Sequence, residues 1–449
     1  MGTARRAAKG PVKPDEQERT TEVSAMRGDE RSQEEVIEEF AHYVSPSRVA
    51  TYRQMGFEMV PGRREGSRIW DWDGKRSFIN LRSSGGVFNL GHRPQRIIEA
   101  LRRALDEYDI GDHILMSGPR AALAHRLAEL SPGDITYSYF AAGGGEAVDI
   151  ALKLARANTG RPGVISAAEG YHGHTGFALA ATGESSEEFG PLAPGFRKVP
   201  FGDFEALEAA VDEQTAAVIM ETIPATGGML LPPVGYYSSL RRLCDERGAV
   251  LIIDEVQAGL GRSGRLWAID EWDVVPDIMV LGKGMAGAIY PVAVACYRPH
   301  LQSYFDRNPF AHISTFGGSD LGCVVCLEML DIITEPGFLE HVRSMGERFA
   351  AGFAKLRQRH PDLVAEPRQR GLMIGFETTS PPCGPLLTAA MARHGMLSIF
   401  ANFRPSTLQI MPPLTISAQE VDLVLEALDA SLTEVAGVLA GLKAGSRDG

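Results

Sequence analysis

Two stretches decide how the chain is read: Val250-Leu251-Ile252-Ile253-Asp254-Glu255-Val256-Gln257, and Asp277-Ile278-Met279-Val280-Leu281-Gly282-Lys283-Gly284. Each holds a short, uninterrupted apolar run. Such a run fits a strand covered on both faces, the kind that builds parallel sheets. Each ends near a charged side chain, Asp254 in the first and Lys283, 29 residues later, in the second. Ligands of open parallel sheets bind beyond the carboxyl ends of the strands, so these are the places to look for chemistry.

Working outward, helical periodicity alternates with β-branched runs from about residue 115 to 320. AALAHRLAEL (121–130) precedes ITYSYFAA (135–142), EAVDIALKLARAN (146–158) precedes GVISAA (163–168), and LRRLCDERG (240–248) precedes the Asp254 strand. That order predicts an α/β fold whose central sheet is mostly parallel and covered by helices. Residues 1–35 are rich in charge, Pro, Ser and Gly and read as a disordered tail. Residues 36–100 carry short strand-like pieces, including SRIWDWDGKRSFINL (67–81), and the start of the amphipathic IIEALRRALDEY (97–108). Residues 101–325 form the large unit. Residues 326–449 hold helices, the strands GLMIGFE (371–377) and TLQIMPPL (407–414), and a closing helix over 420–442. The 36–100 and 326–449 pieces are each too small to stand alone and are expected to pack as a smaller α+β domain.

The formal net charge is −12, which argues against nucleic acid and against an acidic membrane surface. No run reaches the roughly 20 apolar residues of a membrane helix. MGTARRAAKG lacks the apolar segment of a secretory signal, and Arg6 stands where myristoylation requires Ser or Thr. A cytoplasmic enzyme is the simplest reading. Five cysteines make no disulfide framework, and Cys323 and Cys326 lie in the apolar helical pattern LGCVVCLEMLDII, which reads as core. His172 and His174 have no carboxylate or thiol spaced to complete a metal site, so no metal is expected.

Four strand ends could carry chemistry. Gly143-Gly144-Gly145 separates a strand from a helix; exposed amides at a helix start, reinforced by its dipole, make an anion site, although a plain flexible turn has the same composition. Asp254 could bind metal, act as a base or pair with a cationic heterocycle. Gly259, Gly261 and Gly264 spell GxGxxG but follow DEVQA rather than the strand itself, so the dinucleotide reading fails. Lys283 between two glycines is either a surface lysine or a desolvated, neutral amine able to form a Schiff base. Thr315, in HISTFGGSD, could give a phosphate its hydroxyl hydrogen bond. A phosphate cradle, a strand-end Asp and a strand-end Lys are the parts that pyridoxal 5'-phosphate (PLP) chemistry requires.

From about residue 45 onward the sequence resembles the class III (subgroup II) aminotransferases of PLP fold type I, the ornithine, GABA and putrescine group. LIIDEVQAGLGRSG with LGKGMAG carries the resemblance most specifically, and NPFAHISTFGGSD and HPDLVAEPRQRGLMIGFE lie closest to the putrescine branch. The resemblance implies Lys283 as the Schiff-base lysine and Asp254 as partner of the pyridine nitrogen. It implies Val256 and Tyr171 on the two ring faces, Gln257 on the ring hydroxyl with Glu221 nearby, and Gly144 and Gly145 on the phosphate. Thr315 would arrive from a neighbouring subunit, which implies a homodimer with sites at the interface. The partners implied are a small-molecule amine donor and a carbonyl acceptor.

Two departures bear on function. The family's Ser-Gly-Thr is Gly143-Gly144-Gly145 here, so two hydroxyl donors are lost. The family's EPIQGEGG reads ETIPATGG, with Thr226 replacing a Glu, and its RIxPPL reads Gln409-Ile410-Met411-Pro412-Pro413-Leu414, with Gln409 replacing the arginine that grips an α-carboxylate. A neutral amide does not substitute for a bidentate guanidinium. The expected substrate therefore lacks that carboxylate (an amine, a diamine or a natural-product aldehyde), unless Arg404 or Arg82 has taken over the task. An epimerase, aminomutase or decarboxylase would share the same cofactor residues, and a non-catalytic protein on the same fold is a remoter alternative.

Overall fold

The computed structural model describes residues 31–55, 57–183 and 189–445. They divide into two compact units, one of the described residues up to 64 together with 69–77, the other of 65–68 and 78 onward. Residues 1–30 of the expected tail lie outside the described residues. Its last three residues open the helix Gln33–Tyr43, where Ser32 and Glu35 form a reciprocal capping box. In this smaller unit the helix Pro46–Gln54 follows, and the Trp72 indole donates to the Arg31 carbonyl at 2.8 Å.

The larger unit is built on a seven-stranded sheet: β1 (Tyr137–Ala141), β2 (Gly163–Ala167), β3 (Phe196–Val199), β4 (Thr215–Glu221), β5 (Val250–Asp254), β6 (Ile278–Leu281) and β7 (Ala293–Tyr297). The spatial order is β1-β7-β6-β5-β4-β2-β3. Strands β2 to β6 pair in parallel, and only β7 runs against its neighbours β6 and β1. Alternate residues of β5 serve opposite faces: Leu251 and Ile253 join one apolar cluster, Val250 and Ile252 another. Burial on both faces explains why β5 reads as a continuous apolar run.

The helix Asp320–Ile333 packs on Gln95–Leu105 and Gly118–Leu130, and Cys323 and Cys326 are fully buried in its core face. The border drawn at 325/326 from sequence falls inside this helix. A second, antiparallel sheet orders Arg368–Arg370, Met373–Glu377, Thr407–Ile410 and Ile399–Phe400. Its core joins Ile374, Phe376 and Leu408 to Phe349, Leu387 and Leu428 from helices, and to Ile79 and Leu81. No helix among the described residues is long and apolar enough to cross a membrane.

Candidate active site

Parallel register places the site. Glu221, last residue of β4, lies opposite Asp254, last residue of β5, and Asp254 lies opposite Val280 of β6. Lys283 follows β6 by two residues. All three side chains therefore meet beyond the carboxyl edge of one sheet. They line a cavity of about 180 Å³ with Gly144, Gly145, Tyr171, His172, Gly173, Val256 and Gln257. Two larger clefts, of about 340 and 200 Å³, lie against the outer face of the helix Gly144–Thr159 and the 309–317 loop, and neither gathers convergent buried charges. Chemistry, not volume, marks the site.

Asp254 is 4% exposed. One carboxylate oxygen accepts from the Val256 amide at 3.0 Å and the other meets His172 Nδ1 at 2.8 Å. The remaining His172 nitrogen, Nε2, is buried without a partner among the described residues. Glu221 accepts from the Tyr171 amide at 2.8 Å. Burial, reinforced by the charge of Asp254 and opposed by His172 and Lys283, pushes its carboxyl up to about 7. Lys283 Nζ donates to Gln257 Oε1 at 2.8 Å, and the Gln257 amide nitrogen is turned towards Met411 Sδ at 3.3 Å. Burial lowers the Lys283 pKa, against the pull of Glu221 and Asp254, which favours the neutral amine.

The backbone under Lys283 is unusual. Its φ is +47°, left-handed for a residue with a Cβ, which costs about 1–2 kcal/mol. A Cβ on the next residue, Gly284, would stand 2.8 Å from Asn89 Nδ2 and 3.0 Å from the Gly86 carbonyl oxygen, so only glycine fits. Above the lysine, Ser83 to Gly86 run through consecutive positive φ values, bringing Gly85 close to Gln257 and the Lys283 side chain.

Gly144 and Gly145 open the helix Gly144–Thr159, whose first amides have no intrahelical carbonyl to meet. A Cβ on Gly145 would approach Thr175 Oγ1 to 2.9 Å, and one on Gly144 would press on Val256 at 3.4 Å. The bare turn leaves room for an anion at the dipole's positive end. A buried lysine amine, a carboxylate lining the same cavity and an anion cradle are a donor set that fits PLP.

Eight of the nine expected cofactor residues thus meet in one cavity. Thr315 is exposed and does not line it. The four expected substrate residues lie outside the lining. Gln409 donates to the Ala225 carbonyl at 3.2 Å, and Thr226 donates to the Glu169 carbonyl at 3.2 Å. Arg404 rests against Gly228 in the same loop, and Arg82 is exposed just before the Ser83–Gly86 turn. Sequence reasoning missed His172 and Gly173 of the lining, and Met411 behind Gln257. His172, considered there only as a metal ligand, is bonded to Asp254 across 82 residues of chain, which no local spacing reveals. Met411 lay inside a quoted strand with no signal that its sulfur would touch Gln257. Among the described residues no group of three or more His, Cys, Asp or Glu side chains is gathered as for a metal.

The family description of the class-III aminotransferases matches residues 50–432. The chain belongs to the class III aminotransferases. An uncharacterized aminotransferase from Archaeoglobus fulgidus is 49% identical over 403 residues, covering 90% of this chain and 95% of the other. The ornithine aminotransferase of Toxoplasma gondii superposes with a TM-score of 0.84 at 26% identity, covering 92% and 99% of the two chains. An (S)-enantioselective omega-transaminase from Thermomicrobium roseum gives 0.82 at 29%, covering 91% and 99%. A taurine:2-oxoglutarate aminotransferase from Bifidobacterium kashiwanohense, solved with PLP and glutamate, gives 0.81 at 26%, also covering 91% and 99%. Class III aminotransferases use PLP, and this enzyme is a PLP-dependent aminotransferase of fold type I.

Proposed function

We propose that this class III aminotransferase transfers an amino group in two half-reactions, and that its characteristic substrate carries no α-carboxylate at the position Gln409 occupies. The observation carrying the proposal is that Gln409 is an amide, already committed to the Ala225 carbonyl, where carboxylate recognition would require a guanidinium. Thr226 removes the acidic partner at the same time. The test is a panel of donors offered to the PLP-loaded enzyme, with conversion to the aminated cofactor followed by absorbance. Fast conversion with amines or diamines and slow conversion with glutamate and alanine is expected. Fast glutamate turnover that vanishes in Arg404→Ala would favour the second reading, in which Arg404, held against Gly228 beside Thr226, grips the carboxylate instead.

The residue roles proposed are those that the family resemblance implies, and the meeting of eight of these residues in one cavity supports them. Lys283 is assigned the covalent link to the cofactor and, once free, the proton transfers at the reacting carbon. Bound PLP supplies an aldehyde carbon and a protonatable ring that withdraws electrons from its neighbour. Asp254, fixed by Val256 N and His172, is assigned to the ring nitrogen, and Gly144 and Gly145 to the phosphate. Tyr171 and Val256 are assigned to the ring faces, with Gln257 and Glu221 on the hydroxyl side. Lys283→Ala should abolish borohydride-stable attachment of PLP, read as added mass on the intact protein.

Thr315 is assigned to the phosphate of a second subunit's site. Its exposure supports this, as do Phe310, Ile313 and Phe316, exposed around it, and Ile114, Leu115 and Met116, also exposed and following His113 of the cleft lined by Phe310 and Ile313. Monomeric proteins rarely leave so much apolar surface together, so a homodimer with shared sites is the assembly proposed. The division of the chain at about 100 and 325 is likewise proposed, with its smaller part supported only where Ile79 and Leu81 share a core with the C-terminal helices; the described residues up to 64 and 69–77 form a separate compact unit.

A further inference from the structure

Arg262 is 0% exposed, yet the groups its guanidinium meets are all neutral. It donates to the Leu372 carbonyl at 3.1 Å, the Pro412 carbonyl at 2.6 Å and Asn89 Oδ1 at 2.7 Å. Its Nε has no partner among the described residues. Burying a cation without a counter-charge is expensive, and an apolar side chain of similar volume would often stabilise a core better. Stability alone is therefore a weak reason for an arginine here.

Its acceptors lead to Lys283 by two routes. Pro412 directly follows Met411, whose sulfur accepts from Gln257 Nε2 at 3.3 Å, and so leaves Gln257 Oε1 facing Lys283 Nζ at 2.8 Å. If Pro412 moved, the sulfur would move, and the amide could turn its nitrogen to the lysine instead. Asn89 is the other route. It packs on Gly284, the residue after Lys283, closely enough to forbid a Cβ there. Asn89 is further pinned by the Leu260 carbonyl at 3.4 Å, and its own carbonyl accepts from Leu414 N at 2.7 Å. The left-handed backbone of Lys283 is thus braced by the side chain that Arg262 holds.

We infer that Arg262 is a positioning residue for Lys283: it orients the Gln257 acceptor of the lysine amine through Pro412 and Met411, and it braces the lysine's strained turn through Asn89. The inference rests on the reading of Lys283 as the cofactor lysine and adds a residue outside the cavity that governs it.

The test uses the full chain carrying Arg262→Met, Arg262→Lys, Asn89→Ser or Met411→Leu, with circular dichroism and melting to establish folding. In cofactor-free protein, acetic anhydride labelling of Lys283 across pH is read by peptide mass spectrometry. PLP binding is titrated separately by absorbance. Folded Arg262→Met should change Lys283 labelling at neutral pH by about threefold or more and weaken PLP binding by about tenfold. Arg262→Lys should recover part of both, because an ammonium can still reach one of the carbonyls, and Met411→Leu should change labelling with little effect on melting. Wild-type labelling and PLP affinity in folded Arg262→Met would overturn the inference. Should that variant not fold, Asn89→Ser and Met411→Leu decide by the same readings: a change in either supports it, and none in both overturns it. Failure of the underlying reading looks different: Lys283→Ala would still trap PLP covalently, whatever the Arg262 variants do.

Discussion

Asp254 shows how far neighbours fix the setting of a buried carboxylate. Its two oxygens are fixed by the Val256 amide and by His172, and His172 is itself held by its backbone amide on Thr182 Oγ1 at 3.0 Å. His172→Ala leaves a buried carboxylate oxygen without its donor, which should cost about 1–3 kcal/mol of stability, visible as a lower melting temperature of the cofactor-free protein. Glu221 yields a pH prediction. Its folded value of about 7 lies above the ordinary 4.5, so the folded chain holds a proton that the unfolded chain has released. Stability from this group is therefore full below about 4.5, falls as pH rises towards 7, and is flat above. Glu221→Gln should flatten that decline, by an amount on the order of 2–3 kcal/mol, in calorimetric scans of cofactor-free protein between pH 5 and 8. A slope unchanged in the variant would assign the decline to another group, with Glu255, also pushed up to about 7 by burial, the first to examine.

The glycine turn at residues 143–145 and the loop at 222–229 are the two elements on which the proposed phosphate and substrate sites rest. The turn works because it lacks side chains: Gly145→Ala places a Cβ against Thr175 Oγ1 at 2.9 Å. PLP affinity should fall by about tenfold or more with little change in melting, since helices accept alanine well; unchanged affinity would move the phosphate elsewhere. The 222–229 loop is tied at several points. Thr222 donates to buried Glu255 at 2.5 Å, Phe403 N donates to the Thr226 carbonyl at 3.0 Å, and Arg368 donates to the Gly228 carbonyl at 2.8 Å. Against so fixed a loop, Gln409→Arg should restore a carboxylate grip and raise the half-reaction rate with glutamate by about tenfold. A variant no faster with glutamate would show that the amide at 409 is not what selects the substrate.

At the scale of the whole molecule, the sheet brings together groups that the chain keeps far apart, and exposed Phe310, Ile313 and Phe316 surround Thr315, the surface on which the proposed homodimer depends. On the homodimer proposed above, Phe316→Asp should shift the protein towards monomer in sedimentation, and PLP affinity should fall with it, because the proposed contact of Thr315 with a partner's phosphate would be lost. Dimer loss without any loss of PLP affinity would separate the assembly from the site. The alternation of strand and helix was readable over 121–256 because parallel strands buried on both faces leave unbroken apolar runs. The reversal of β7 was not, since PVAVACY carries no mark of direction and antiparallel pairing is decided by its neighbours.

What the sequence determined by itself was local: apolar runs of strand length, glycines at turns, and the types and order of the groups Gly144, Asp254 and Lys283. Those follow from periodicity and side-chain chemistry, which act over a few residues. Only the tertiary structure decided the rest: His172 on Asp254, Met411 on Gln257, Arg262 on Asn89, and Gln409 turned to Ala225. Such contacts depend on register and packing between segments tens to hundreds of residues apart. No spacing along the chain encodes which side of a neighbour a donor will face.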